Sequence, residues 1–231
     1  MDKLKQLYLD RDLSVGVTFT PPKEMARRLS RVLRQKKGDK IALFNGRDGL
    51  FEVEIKDDKC NELYVKSILK PQKEAPKAVL LIAMVKKDAM DRIFRQATEF
   101  GITDIVPLIT DFTNVDKLNE DRIKSLLIEA SEQCERLNIP TLHNILHLEN
   151  YVKEFSSTIY WCAEHVGGKW GTSEKSASGD AILIGPEGGF SPRERAWLGD
   201  CINVTPVGLG NHILRSDTAA CAAFSRFFDH F

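Results

Sequence analysis

Ile182-Leu-Ile-Gly-Pro-Glu-Gly-Gly-Phe-Ser-Pro-Arg-Glu194 sets the fold class of this chain. A short apolar strand ends at Gly185 and enters a tight loop that also holds Gly188 and Gly189. A helix start follows. Ser191 is a natural N-cap, Pro192 suits the first helical position, and Glu194 completes a capping box. Glycine lets the backbone bend sharply and lets a ligand approach it closely. Strand, loop and helix in that order make an α/β unit, and such sheets bind ligands at the C-terminal ends of their strands. The loop is not a phosphate loop, because GxxxxGK[ST] and GxGxxG are both absent. Glu187 inside it would repel a phosphate and suits a cationic or hydrogen-donating ligand.

Val207-Gly-Leu-Gly-Asn-His-Ile-Leu-Arg-Ser-Asp-Thr-Ala219 repeats the theme. A strand runs into glycines, passes through Ile213-Leu214 and Arg215, and starts a helix that Ser216 or Asp217 can cap. That helix is rich in small residues from Ala219 to Ala223, which predicts close packing against another backbone or subunit. Arg215 stands where it can hold a phosphate or carbonyl oxygen by charge-assisted hydrogen bonds, or where it is simply a surface arginine.

Outward from these two segments, apolar strands alternate with helices from Ala78 onward. Strands are predicted at Ala78–Val85, Asp104–Leu108, Thr158–Ala163, Ala181–Ile184 and Asn203–Val207. Helices are predicted near Ala89–Phe100, Asp121–Leu137, Pro192–Cys201 and Thr218–Phe228. The pattern implies a mostly parallel sheet covered on both faces. Gly167–Gly179 reads as a flexible loop. Arg122, Glu129, Gln133 and Arg136 form a polar stripe on one helix, and Arg92, Arg95 and Glu99 on another; each is a solvated face or a wall toward RNA or a partner.

Residues 1–70 read mostly as β, with Lys40–Asn45, Leu50–Ile55 and Glu62–Leu69 as strands and a helix from Pro21-Pro22 to near Leu33. Together they predict a small barrel, joined by the proline-bearing linker from Lys70 to Pro76 to a second domain over residues 77–231. The chain of 231 residues carries 33 basic and 33 acidic side chains, but the balance is uneven. Residues 1–70 hold 16 Lys and Arg against 11 Asp and Glu, and the remainder 17 against 22. A basic module beside an acidic one fits a polyanionic partner for the first. The longest apolar run is too short for a membrane span and the N-terminus lacks a signal peptide, so a cytoplasmic location is expected. Five scattered cysteines without a CxxC pair, and a His143/His147 pair without further ligands, predict no metal site.

The two glycine segments together resemble the SPOUT class of methyltransferases, and more closely the RsmE family, which methylates a uridine at ring nitrogen 3 in 16S ribosomal RNA. The family signatures IGPEGGF-S-x-x-E and LG-x-x-ILR-x-E-TA match Ile184–Phe190 with Ser191 and Glu194, and Leu209–Ala219. Arg95–Gly101, Glu129–Arg136 with Pro140, Val32-Leu-Arg34 and Phe44-Asn-Gly46 are similar to further family elements. Departures are Asp217 for Glu, His212 for Arg, Arg95 for Lys, Phe100 for Leu and Arg28 for His.

The resemblance implies a PUA-like RNA-binding barrel over residues 1–70 and a knotted α/β domain over 77–231 that binds S-adenosyl-L-methionine and forms a homodimer. It implies a cofactor pocket lined by Gly185, Gly189, Leu209, Gly210, Ile213 and Leu214. Arg215, Glu187 and Asp217 are the candidate catalytic residues. Arg28, Arg31, Arg34 and Lys36 are expected to hold RNA, with Lys86 and Lys87 extending the track. The small ribosomal subunit is the expected partner. Rival readings are a SPOUT methyltransferase of another RNA, such as transfer RNA, and an inactive RNA-binding or ribosome-assembly protein.

Overall fold

The computed structural model describes residues 4–113, 117–163 and 177–228; most of the predicted loop Gly167–Gly179 lies outside them. The chain divides into two compact units, Met1–Glu74 with Ser131–Ile139, and Ala75–Ala130 with Pro140–Phe231.

The first unit is built on a five-stranded curled sheet of β1 (Gln6–Tyr8), β2 (Thr18–Phe19), β3 (Lys40–Phe44), β4 (Leu50–Ile55) and β5 (Leu63–Lys70), in the order β1-β3-β4-β5-β2. β1 runs parallel to β3 and the other pairs are antiparallel. The period of two in β4 sends Phe51, Val53 and Ile55 into the core and leaves Glu52 and Glu54 on the wetter face. Between β3 and β4 the Asn45 side chain accepts from the Arg47 and Asp48 amides, both at 2.9 Å, which closes the expected turn. Helix α1 (Lys23–Arg27) continues into a π-helical turn, Arg28–Val32. The core centres on Leu7, Leu29, Ile41, Leu43, Val53 and Leu63. Each such buried side chain stabilises the fold by roughly 1.5–3 kcal/mol.

The second unit carries a seven-stranded sheet of β6 (Val79–Ala83), β7 (Asp104–Ile109), β8 (Thr141–Leu142), β9 (Leu146–His147), β10 (Ile159–Cys162), β11 (Ala181–Ile184) and β12 (Val204–Val207). Every pair in it is parallel, in the order β12-β10-β11-β6-β7-β8, with β9 also on β7. β6 and β11 are buried at every position, as central strands covered on both faces require. The chain builds outward from β6 in one direction and later returns to its other side with β11. The β6–β11 junction is therefore a topological switch point, where open α/β sheets place ligands.

Helices α2 (Lys87–Phe100), α3 (Glu120–Cys134), α4 (Leu148–Glu154), α5 (Pro192–Asp200) and α6 (Ser216–Phe227) complete the chain. α2 buries Ala89, Met90, Ile93, Phe94 and Ala97 at helical spacing, and α6 buries Ala220, Ala223, Phe224 and Phe227. α2 and α6 pack on each other, and α6 also lies on β11. Of its small residues Ala220 and Ala223 are buried, while Ala219, Cys221 and Ala222 are half-buried.

Some expectations need correction. α3 stops at Cys134 rather than Leu137, because Glu135 turns to a φ of +62°. Leu137 packs instead in a cluster with Phe44 and Leu50 of the first unit. Strands β1, β2, β8 and β9 and helix α4 were not predicted; among them the strands are only two or three residues long. Among the described residues, no helix is long and apolar enough to cross a membrane, and no group of His, Cys, Asp and Glu is arranged to hold a metal ion.

Candidate active site

All strands of the second unit point the same way. The segments leaving β6, β7, β11 and β12 therefore emerge at one edge of the sheet, and both glycine segments lie there.

The first loop, Gly185–Phe190, is pinned on several sides. The Gly189 amide donates to the Pro186 carbonyl at 2.9 Å. Phe190 is buried edge-on against Trp161 of β10, with ring centroids 5.9 Å apart. A methyl group on Gly185 would lie 2.9 Å from the buried Phe190 ring, so any larger residue must displace that ring. The capping box forms as expected. Ser191 Oγ accepts the Glu194 amide at 3.1 Å, and Glu194 accepts the Ser191 amide at 2.9 Å.

Glu194 is only 2% exposed, and its other oxygen accepts the Asp111 amide at 2.8 Å. The Ser191 hydroxyl donates to Asp111 at 2.5 Å, and Arg193 donates to Asp111 at 2.8 Å and to Glu149. Arg193, with Ser191 second, holds the Asp111 carboxyl below its ordinary range; Arg193 does the same for Glu149. Glu187 stands out from this loop toward solvent, 4.0 Å from Lys86 Nζ.

The second loop, Leu209–Arg215, is open. Among the described residues, none of the amides from Leu209 to Leu214 donates to another backbone group. Gly210 has φ +133°, a conformation essentially restricted to glycine, and among the described residues no atom beyond its chain neighbours lies within 4 Å of where a Cβ would sit. Ile213 is 70% exposed, unusual for so apolar a side chain. Arg215 sits exposed at the N-cap position of α6 and makes no capping bond.

The expected cap by Ser216 or Asp217 is therefore not formed. Ser216 is the first residue of α6, and its hydroxyl donates to the Gly185 carbonyl at 3.0 Å, tying the two loops together. Asp217 accepts from Arg92 Nε of α2 at 2.7 Å. That hydrogen bond, against an opposing desolvation, holds the Asp217 carboxyl below its ordinary range.

The edge thus brings together Gly185, Glu187, Gly189, Leu209, Gly210, Ile213, Leu214, Arg215 and Asp217. Lys86 and Lys87 are exposed where α2 begins. In the first unit Arg31, Arg34 and Lys36 are exposed. Arg28 is engaged differently, donating to both oxygens of the buried Glu132 at 3.0 and 2.6 Å. Glu132 also accepts the Tyr8 amide at 2.9 Å. Sequence reasoning missed Asp111, took Glu132 only as part of the Glu129–Arg136 resemblance, and saw Arg92 only as part of a stripe. The signal for Asp111 was its place just after a strand of the parallel sheet.

The RNA methyltransferase domain family matches residues 72–227, and the RNA methyltransferase PUA domain family matches residues 29–66. The ribosomal RNA small subunit methyltransferase E of Rickettsia conorii is 36% identical over 203 residues, covering 84% of this chain and 82% of its own. The protein of the same name from Synechocystis is 30% identical over 210 residues, covering 86% and 68%. Among solved structures, a Legionella pneumophila methyltransferase with bound SAM has a TM-score of 0.88 at 28% identity, with 97% of each chain covered. A Neisseria gonorrhoeae ribosomal RNA small subunit methyltransferase E bound to S-adenosyl methionine has a TM-score of 0.85 at 26% identity, with 96% of each covered.

Proposed function

The chain belongs to the RNA methyltransferase family, among the ribosomal RNA small subunit methyltransferases E, and from that premise we propose that it transfers a methyl group from S-adenosyl-L-methionine to ring nitrogen 3 of a uridine in 16S ribosomal RNA. The observation that carries this reading is the pairing of a rigid loop with an open one at the switch-point edge. Amides of Leu209–Leu214 without backbone partners among the described residues, the exposed Ile213 and the room at Gly210 suit an adenine, which needs backbone hydrogen bonds and an apolar wall. Gly185 and Gly189 supply the opposite, fixed wall. When bound, the cofactor supplies a methyl carbon made electrophilic by a positive sulfur.

The protein's own part is to orient the uracil, stabilise its developing charge and take its ring proton. Arg215, exposed at the mouth of α6 without a capping bond, stabilises negative charge on the uracil oxygens. Glu187 is the carboxylate that accepts the proton, since it faces solvent while Asp217 is bound to Arg92. Asp217 then acts through Arg92, holding the first turn of α6.

Residues 1–70 form the PUA-like RNA-binding domain in this reading, with Arg31, Arg34 and Lys36 on phosphates and Arg28 holding their helix in place. Residues 77–231 form the knotted catalytic domain, with Lys86 and Lys87 on RNA. The working form is a cytoplasmic homodimer.

The test is methyl transfer from labelled cofactor to small ribosomal subunits prepared from a strain lacking this gene, followed by nucleoside analysis. The expected product is 3-methyluridine. A different methylated nucleoside, or transfer only to transfer RNA, would overturn the assignment of target.

A further inference from the structure

Phe112 carries a half-exposed aromatic side chain at the same edge, on a turn closed by several hydrogen bonds. It is 48% exposed, and its Cδ2 and Cβ lie 3.8 and 3.9 Å from where a Cβ on Gly188 would be. The ring therefore borders the backbone of the first glycine loop, one residue from Glu187. The turn bearing it is closed twice. Thr110 N–H donates to Thr113 Oγ1 at 2.9 Å, and Thr113 N–H donates to the Thr110 carbonyl at 3.1 Å. The preceding residue, Asp111, is held through its amide by the buried Glu194 and through its carboxylate by Ser191 and Arg193. A fixed, half-exposed aromatic face beside the reacting edge is what a nucleobase needs for stacking. Such platforms tolerate any base, because every base has a π face.

We propose that Phe112 is a nucleobase-stacking residue, on which the target nucleotide or its immediate neighbour in the RNA rests during methyl transfer. The Glu194–Asp111–Ser191 network is its positioning device. This rests on the RNA methyltransferase reading given above. Stacking places the base near Glu187 without any hydrogen-bond readout, so Phe112 contributes RNA affinity and orientation rather than identity of the base.

The experiment compares wild type with Phe112→Ala, Phe112→Leu and Phe112→Tyr. It measures affinity for unmodified small subunits, methyl-transfer kinetics, cofactor affinity by calorimetry and sedimentation. Phe112→Ala and Phe112→Leu should weaken RNA affinity about tenfold, while Phe112→Tyr stays near wild type. Cofactor affinity and sedimentation should not change. The proposal is overturned by a leucine variant equal to wild type, by an unchanged alanine variant, by a loss traced to the cofactor, or by altered sedimentation, which would mean that a second copy covers the ring. If wild type itself transfers no methyl group, the functional reading falls, while the ratio of RNA affinities still judges Phe112.

Discussion

The two glycine loops begin alike and end differently. Gly185–Phe190 leaves β11 and is clamped by a buried aromatic ring, a capping box and the Asp111 network. Leu209–Arg215 leaves β12 with amides that find no backbone partner among the described residues, an exposed isoleucine and an exposed arginine that makes no capping bond. Ser216 on the Gly185 carbonyl links them. Backbone polar groups in a folded protein are ordinarily paired, so a run of amides without backbone partners among the described residues, at the C-terminal edge of a parallel sheet, supports the proposed ligand surface. In the proposed reading, the clamped loop supplies the fixed geometry against which the open loop holds the cofactor. Rigid support beneath a reading surface is the general requirement for precise positioning.

The largest test of this contrast is Arg215→Ala. If the open loop carries the charge-stabilising group, turnover should fall by about 10²–10³-fold while cofactor affinity holds. Single-turnover methyl transfer and calorimetry measure the two separately. An equal loss in both would place Arg215 in the cofactor pocket instead.

Glu187 and Asp217 sharpen it next. Glu187→Gln should lower turnover by about 10²-fold. Asp217→Asn should have a smaller effect, about tenfold, because it loosens α6 without removing the proton acceptor. The pH dependence separates them. The folded-state pKa of Asp217 lies below its ordinary 3.8, chiefly through the Arg92 hydrogen bond. Its stabilising contribution is therefore complete above the unfolded value and lost only as pH falls through the depressed one. Between about pH 6 and 9 the rate profile should carry no limb from Asp217. A limb that vanishes in Asp217→Asn would make it the base.

The clamped loop answers to stability more than to chemistry. Gly185→Ala drives a Cβ to 2.9 Å from the Phe190 ring and should destabilise by about 1–3 kcal/mol. Ser191→Ala removes the N-cap and should remove about 1–2 kcal/mol. Denaturant titrations measure both, and unchanged midpoints would mean that the loop is not clamped as described.

How much of this was legible in the sequence follows the same division. The strand Ala181–Ile184, the capping box and the start of α5 come from local rules, in which residue type and spacing fix the structure. The failures are where distant groups decide. The apolar spacing of α3 runs on to Leu137, yet the helix ends at Cys134 and Leu137 joins another core. Ser216 fits an N-cap by type, but a carbonyl 31 residues earlier in the chain claims its hydroxyl. Asp217 and Arg92 are 125 residues apart, so no pattern could pair them. Strands of two or three residues are too short to show a period.

Committed and free groups also divide the cations of the first unit, where the smallest effects are expected. Arg28 donates to both oxygens of the buried Glu132, while Lys36 is exposed. Arg28→Ala removes both of those hydrogen bonds and leaves the carboxylate its Tyr8 amide. The expected destabilisation is about 1 kcal/mol, well below that of a fully buried pair because the Arg28 side chain is 41% exposed. It should lower stability without changing the salt dependence of RNA binding. Lys36→Ala should do the reverse, leaving stability alone and reducing the slope of log affinity against log salt by about one. A reduced slope in Arg28→Ala would return that arginine to the RNA surface and show that pairing with Glu132 does not keep it from phosphate.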